Sequence, residues 1–371
     1  MRIVFLVPDV GGTSGWSRYA LDLGRALAAR GHELHCVTSK RTGATWCHEY
    51  PILRQPTSYL GSTLLCAWHA RTLTKLLRSI DPDVVHVIAE PYALLLPFTR
   101  KRRWKEILTI HGTYSVVPLL MGYKTARLAY AYYKRMNSII AVSNFTKTYL
   151  GNRIPPLSAI ASSVTVIHNA ISLSGIDADT DERPDGRPFH ILSVSGVKRK
   201  KGYIQSLRAI RTFLDAHPAN VVYTIIGNDA VDPGFTRELH DAIDGLSLSS
   251  AVRFRGIVSD DELDAAYREA DLFLLPSLQE DDYFEGFGLV FIEANARGTP
   301  VIGGNTGGCP EAISDGVSGY VCDPEKTDDI AARMEDIFLK RSIDRASCRA
   351  WAEQHDIDRT VEEIERTYAE A

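Results

Sequence analysis

A chain of 371 residues is long enough for two domains, each burying a core of its own. Hydrophobic residues make up 45% and charged residues 24%, near the averages of globular proteins, which excludes disordered, collagen-like and coiled-coil chains. No apolar run approaches the roughly 20 residues that a membrane-spanning helix needs. The opening Met1-Arg2-Ile3-Val4-Phe5-Leu6-Val7 is too short for the apolar core of a secretory leader and lacks a small-residue cleavage site, so it reads as a first strand. The net charge of −4 conceals an asymmetry: residues 1–160 hold 21 Lys and Arg against 8 Asp and Glu, and the remainder hold 21 against 38. A basic half joined to an acidic half predicts two domains with different partners. Six cysteines (Cys36, Cys47, Cys66, Cys309, Cys322, Cys348) form no Cys-x-x-Cys pair. That usage points to reduced thiols and a cytoplasmic location.

Short apolar runs at residues 3–7, 33–37, 84–88, 107–110 and 138–142 predict buried strands, with amphipathic helices at 16–30 and 64–80 between them. In the first helix Leu21, Leu23, Leu27 and Ala28 face the core, and Gly31 stops it. Strands alternating with helices mean parallel pairing and right-handed crossovers. Residues 173–188 are polar, acidic and rich in turn formers, which reads as an interdomain linker. Strand patterns resume at 190–194, 222–226, 252–254, 272–275 and 300–302, and residues 327–370 read as helical. The expected class is α/β, with two doubly wound, Rossmann-like parallel sheets facing across a cleft. The expected division is an acceptor-side domain at 1–172, a ligand-binding domain at 189–352, and a C-terminal helix at 353–371 packing back on the first domain. Ligands of such sheets bind beyond the carboxyl ends of the strands, which makes the cleft the default site.

The most informative stretch follows the strand ending at Leu275. A loop carries Glu285-Gly286-Phe287-Gly288, and a helix is expected from about Leu289 to Arg297, with Gly298 as its stop. Glycines ahead of a helix let backbone approach a ligand, and the free N–H groups and positive end of the helix suit a diphosphate. Glu293 lies in the second turn of that helix and Glu285 in the loop before it, so two carboxylates eight residues apart can grip two hydroxyl-bearing parts of one ligand. Glu280, in the same loop, is a rival for the first carboxylate.

This stretch resembles the Glu-x7-Glu signature of retaining glycosyltransferases with the GT-B fold, specifically glycosyltransferase family four. The resemblance extends over nearly the whole chain. Pro8-Asp9-Val10-Gly11-Gly12, Thr109-Ile110-His111-Gly112, Ala141-Val142-Ser143-Asn144, Val166-Ile167-His168-Asn169 and Gly307-Gly308-Cys309-Pro310-Glu311 are similar to the family's other landmarks in their order. The resemblance implies that Glu293 accepts hydrogen bonds from the ribose of a nucleotide and that Glu285 binds hydroxyls of the donor sugar. It implies that Lys201, with Lys198 or Arg199, neutralises the departing diphosphate. The basic segment Gly196-Val197-Lys198-Arg199-Lys200-Lys201-Gly202 lacks the family's Arg-Leu and is one residue shorter, so the partner of Lys201 stays open. The N–H groups of Phe287, Gly288 and Leu289 would contact sugar and phosphate, Gly12 would bring backbone to the phosphate, and His111 would sit beside the sugar.

The implied activity is retaining transfer of a hexose from a nucleotide-diphosphate sugar, a UDP- or GDP-sugar, to a hydroxyl of a glycan, a glycolipid or a small acceptor. Negative charge grows on the leaving phosphate, and fixed cations with helix N–H groups can stabilise it. The Asp-x-Asp pairs (Asp177-Ala178-Asp179, Asp179-Thr180-Asp181, Asp81-Pro82-Asp83, Asp356-Ile357-Asp358) fall in the linker, before a strand or in the helical tail, so no metal or other cofactor is expected. The alternatives are a nucleotide-sugar-binding protein without turnover, or another GT-B enzyme such as a nucleotide-sugar epimerase. A dinucleotide oxidoreductase is disfavoured by the lack of Gly-x-Gly-x-x-Gly. In the basic half, 100–105 and 121–135 mix cations with aromatics and can lie on an anionic membrane surface. The competing reading is a solvated face with the aromatics in the core. No motif supports nucleic acid.

Overall fold

The structure, a computed structural model, describes residues 1–12, 14–100, 103–120, 122–176 and 186–371. Most of the expected linker, with Asp177, Asp179 and Asp181, lies outside the described residues, as do Lys101, Arg102 and Met121 of the basic stretches. The chain forms two compact units, Met1–Ser172 with His355–Ala371, and Leu173–Gln354.

The N-terminal unit carries β1 (Arg2–Leu6), β2 (Glu33–Thr38), β3 (His48–Pro51), β4 (Val84–Val87), β5 (Lys105–Ile110), β6 (Ser138–Ala141) and β7 (Thr165–Val166). Between them run α1 (Gly15–Ala29), α2 (Thr63–Ile80), α3 (Val117–Leu120), α4 (Ala126–Arg135), α5 (Asn144–Arg153) and α6 (Ser158–Ser162). Among the described residues the strands make one seven-stranded sheet in the order β3-β2-β1-β4-β5-β6-β7. Every pairing is parallel. β1 sits mid-sheet, with Val4 opposite His35 on one side and Val85 on the other. Ile3 and Phe5 are fully buried and share a core with Ala20, Leu23 and Leu27 of α1. Ser14 starts that helix by accepting from the Ser17 amide, satisfying one of the free N–H groups of the first turn.

The second unit carries β8 (Phe189–Val194), β9 (Val221–Ile226), β10 (Val252–Gly256), β11 (Leu272–Leu275), β12 (Val301–Gly304) and β13 (Gly319–Cys322), in the parallel order β10-β9-β8-β11-β12-β13. Its helices are α7 (Tyr203–Ala216), α8 (Pro233–Gly245), α9 (Asp260–Glu269), α10 (Leu289–Ala296), α11 (Thr327–Phe338) and α12 (Arg345–Ala352).

The last helix, α13 (Ile357–Glu370), belongs to the N-terminal unit. Val361, Ile364 and Tyr368 enter the same core as Ile3 and Phe5. The Tyr368 hydroxyl lies 2.6 Å from His86 Nδ1, and His86 Nε2 lies 2.7 Å from the Thr109 hydroxyl, so a buried chain of side chains links α13 to β4 and β5. Burial pulls the His86 imidazole down to about 3, so it is neutral there. All six cysteines are free thiols. No helix among the described residues is long and apolar enough to cross a membrane.

Candidate nucleotide-sugar site

In the second unit the site residues gather at the carboxyl ends of β8 and β11, two neighbouring strands. After β8 the chain passes Gly196 and Lys198 into a three-residue 3₁₀ turn, Arg199–Lys201, which ends at Gly202. Gly202 has φ +74°, and a Cβ there would stand 2.0 Å from the Pro276 carbonyl, so only glycine lets the basic turn press on the loop after β11. The Leu278 amide donates to the Lys200 carbonyl at 2.7 Å, which locks the two segments together.

That contact sets the Lys201 ammonium 2.5 Å from Glu285 Oε2. The pair is largely shielded, with 15% and 25% of the two side chains exposed. Burial pushes the Glu285 carboxyl up, but the Lys201 and Lys200 cations outweigh it and hold the group below the ordinary carboxylate value. Lys198 adds to that field. Lys200 is half-buried, with its ammonium 3.4 Å from the Phe284 carbonyl. Burial pulls Lys200 below the usual lysine value, against the opposing field of Glu285.

Arg199 does not join them. It is half-exposed, forms a two-pronged ion pair with Glu238 of α8, and lies over the Phe235 ring at 5.0 Å. Of the two alternatives for the partner of Lys201, Lys198 joins Lys200 in the field at Glu285, whereas Arg199 faces Glu238. Glu280 is engaged through its backbone in a bridge with Tyr283, and it is Glu285 that Lys201 meets.

Behind Glu285, the Gly308 amide donates to its carbonyl at 2.8 Å, and a Cβ on Gly307 would stand 2.4 Å from that same oxygen. The glycines of the 307–311 segment thus let it close around Glu285, with Glu311 half-buried at the end of the short turn Cys309–Glu311. Gly286 and Phe287 are buried, and Gly288 opens α10 with φ +102°. A Cβ on Gly288 would lie 2.6 Å from the Phe291 ring. No side chain caps α10 and no acidic residue lies in its first turn, so the N-terminal N–H groups at Leu289 and beyond keep their positive end uncompensated. Glu293 is half-buried on α10, and its Oε2 accepts the Tyr267 hydroxyl at 2.8 Å. Tyr267, from α9, is a residue that sequence reasoning missed, and its distance of 26 positions from Glu293 leaves no local signal.

In the N-terminal unit, the Gly12 turn follows β1, Glu90 follows β4 and His111 follows β5, three adjacent strands. Gly12 has φ +75°, and its amide donates to Ser17 Oγ at 2.8 Å. Ser17 Oγ in turn donates to Asp9 Oδ1 at 2.5 Å, and that same oxygen accepts the Gly11 amide at 2.9 Å. His111 packs edge-on against the Tyr19 ring, with centroids 4.8 Å apart. Burial pulls its imidazole down to about 3, and Nε2 is buried without a hydrogen-bond partner. In the 121–135 stretch Tyr132 and Tyr133 of α4 are buried and Arg135 is paired with the fully buried Glu106 at 2.6 Å, whereas Lys124, Arg127 and Lys134 are exposed. Trp104 of the 100–105 stretch is buried as well.

Residues 13–175 match the family described as Glycosyltransferase Family 4, and residues 177–355 match the family described as Glycosyl transferases group 1. Together the two matches span nearly the whole chain and support a glycosyltransferase of family four. This glycosyltransferase is 31% identical over 194 residues to the D-inositol 3-phosphate glycosyltransferase of Corynebacterium kroppenstedtii, a match that spans 48% of this chain and only 42% of that relative. It is 25% identical over 345 residues to the GDP-mannose-dependent alpha-(1-6)-phosphatidylinositol monomannoside mannosyltransferase of Mycobacterium tuberculosis, spanning 87% of this chain and 84% of that one. Its fold matches that of Anabaena HepE in complex with UDP-glucose, with a TM-score of 0.76 and 20% identity over all of both chains. The two parallel sheets are those of the GT-B fold.

Proposed function

We propose that this glycosyltransferase moves a hexose from a nucleotide-diphosphate sugar to an acceptor hydroxyl, with retention at the anomeric carbon and without a metal. One observation carries the reading: a shielded Lys201–Glu285 pair with Lys200 beside it, directly ahead of the uncapped start of α10. When the bond between the anomeric carbon and the diphosphate breaks, charge develops on the leaving phosphate. Lys201, Lys200 and the α10 N–H groups are fixed donors that favour that charge over the ground state. Glu285 serves the hydroxyls of the sugar, and Glu293, steadied by Tyr267, serves the ribose. Gly196 and Gly286 let backbone approach the nucleotide. From the N-terminal unit, His111 takes its place beside the sugar and Gly12 beside the phosphate. The acceptor attacks from the face the phosphate leaves, and the leaving phosphate takes the acceptor's proton, so no protein base is required.

The donor is a UDP- or GDP-sugar, in keeping with the GDP-mannose named for the mycobacterial relative and the UDP-glucose held by the Anabaena protein. The acceptor is a glycan, a lipid-linked sugar or a small polyol. The basic N-terminal unit offers an anionic membrane a different face from the one expected of α4. On α2, Leu64 and Trp68 are 82% and 58% exposed, and the exposed Arg71, Lys75 and Arg78 continue along the same side at helical spacing.

A thermal-shift screen with UDP-, GDP-, ADP- and TDP-sugars tests the donor assignment, since a ligand that binds only the folded state raises its midpoint by mass action. One class of donor should raise the midpoint. Glu293→Ala should lose the shift, because a hydrogen bond to a charged group contributes about 1.5–3 kcal/mol, roughly 10- to 100-fold in affinity. No shift with any donor, or a full shift in Glu293→Ala, would refute the reading. Inverted or epimerised product would replace it with one of the alternatives.

A further inference from the structure

The carboxylate of Glu90 is 1% exposed at the start of a 3₁₀ segment, Glu90–Phe98, that follows β4. It lies between two elements of the N-terminal site. Oε1 accepts the backbone amide of His111 at 2.7 Å, and Oε2 accepts the indole N–H of Trp16 at 2.8 Å. The Gly112 amide also favours its charged form. Trp16 stands in the first turn of α1, one residue before the Ser17 that receives the Gly12 amide, and its ring lies 5.2 Å from that of Tyr114, three residues beyond His111. No Lys or Arg among the described residues pairs with Glu90, so its charge is held by N–H dipoles alone. We propose that Glu90 is a positioning residue: its carboxylate clamps the His111 turn to the start of α1, fixing the two N-terminal parts of the donor site against each other. The inference rests on the sugar-transfer reading given above.

The clamp is sensitive to protons. Burial pushes the Glu90 carboxyl up to about 7, partly opposed by the His111, Trp16 and Gly112 N–H groups. The titratable groups around it stay silent in that range. The His111 imidazole is pulled down to about 3, and burial raises the Tyr132 and Tyr133 hydroxyls of α4 above the ordinary tyrosine value. Across α1, the Tyr19 hydroxyl is pushed up to about 12. Protonation weakens acceptance at the oxygen that takes the proton and adds an O–H that needs an acceptor of its own, so the hold on the N–H partners loosens. Activity should therefore fall as pH drops through 7. The stability contribution runs the other way: a carboxyl whose folded value is raised favours the fold at low pH and loses that contribution as pH rises through 7.

Two measurements decide it. The first follows the indole N–H resonance of Trp16 by NMR, assigned with Trp16→Phe. It should titrate with a midpoint near 7 and should not titrate in Glu90→Gln, which mimics the protonated form. The second is the pH profile of kcat/KM for hydrolysis of UDP-glucose or GDP-mannose. Wild type should fall at least fivefold from pH 8 to pH 6. Glu90→Gln should be flat within twofold over that range, at the acid level of wild type. Trp16→Phe, losing a donor that favours the charged form, should move the limb to higher pH. A Trp16 resonance that ignores pH, or a limb that persists in Glu90→Gln or stays in place in Trp16→Phe, overturns the proposal. Absence of turnover with every donor overturns the sugar-transfer reading instead, and the Trp16 resonance still reports on the clamp.

Discussion

Replacing Lys201 with alanine removes the cation 2.5 Å from Glu285 and tests both what holds that carboxylate and what receives the leaving phosphate. Exposed ion pairs contribute about 0–1 kcal/mol, and breaking a fully buried one costs about 3–5 kcal/mol. With 15% and 25% of its side chains exposed and Lys200 still present, this pair falls between, at about 2 kcal/mol. For a unit the size of Leu173–Gln354, that lowers the melting midpoint by roughly 4–8 °C at pH 7. The pH dependence follows from the depressed Glu285 value. Its contribution is present above the ordinary carboxylate value and is lost as pH falls through the lower folded value. Wild type and Lys201→Ala should therefore keep their separation from pH 7 down to the ordinary carboxylate value, and converge only as the pH falls below it. In turnover the loss is larger: removing one fixed donor to a developing oxyanion costs about 2.7–4 kcal/mol, or 10²–10³ in kcat. Release of nucleoside diphosphate is the assay, and Arg199→Ala is the control. Arg199 is committed to Glu238 on the surface, so its loss should leave kcat within threefold of wild type. A Lys201→Ala enzyme that keeps its kcat, or an Arg199→Ala enzyme that loses more, would refute the assignment of these cations.

Two further outcomes follow from backbone and surface. Gly288→Ala should destabilise the second unit by about 1–3 kcal/mol in thermal denaturation, because φ +102° suits glycine and the new methyl would meet the Phe291 ring at 2.6 Å. Unchanged stability would mean that α10 does not depend on that turn. On α2, Arg71, Lys75 and Arg78 offer roughly 3 kcal/mol of attraction to an anionic surface at low salt. Flotation with phosphatidylserine vesicles should show binding that high salt reverses and that Trp68→Ser weakens. Salt-insensitive binding, or none, would remove the membrane from the account.

The central strands were readable because a strand covered on both faces shows as an unbroken apolar run. β1, β4 and β11 are buried along nearly their whole length, and their runs appear in the sequence as such. Three of the four edges were not readable, β10 being the exception. β3 is His-Glu-Tyr-Pro and largely exposed, β7 is two residues long, and β13 opens on Gly319, where a Cβ would stand 2.1 Å from the Val301 carbonyl. None of these has an apolar run to show. The aromatic-cationic spacing of α4 fitted a membrane face and a core face equally. The helix has both: Glu106, which lies 29 positions before Arg135, turns that side inward, while Arg127 and Lys134 stay exposed.

The same distinction separates the readable part of the site from the rest. Glu285-Gly286-Phe287-Gly288 announces itself because Gly288 answers to a local demand, a positive φ and a close approach to Phe291 that a side chain would forbid. The cations do not. Lys198, Arg199, Lys200 and Lys201 are chemically near-equivalent in sequence, and what sorts them is direction. The 3₁₀ turn has three residues per turn, so neighbouring side chains leave it about 120° apart. That rotation sends Arg199 out to Glu238 and over Phe235, and turns Lys201 inward to Glu285. A run of like charges thus divides into surface and site according to a turn that Gly202 and the Pro276 carbonyl impose. The second cation beside Lys201 was legible as a charge, but its identity depends on a contact 74 residues further along the chain, and Glu90 and Tyr267 escaped notice for the same reason.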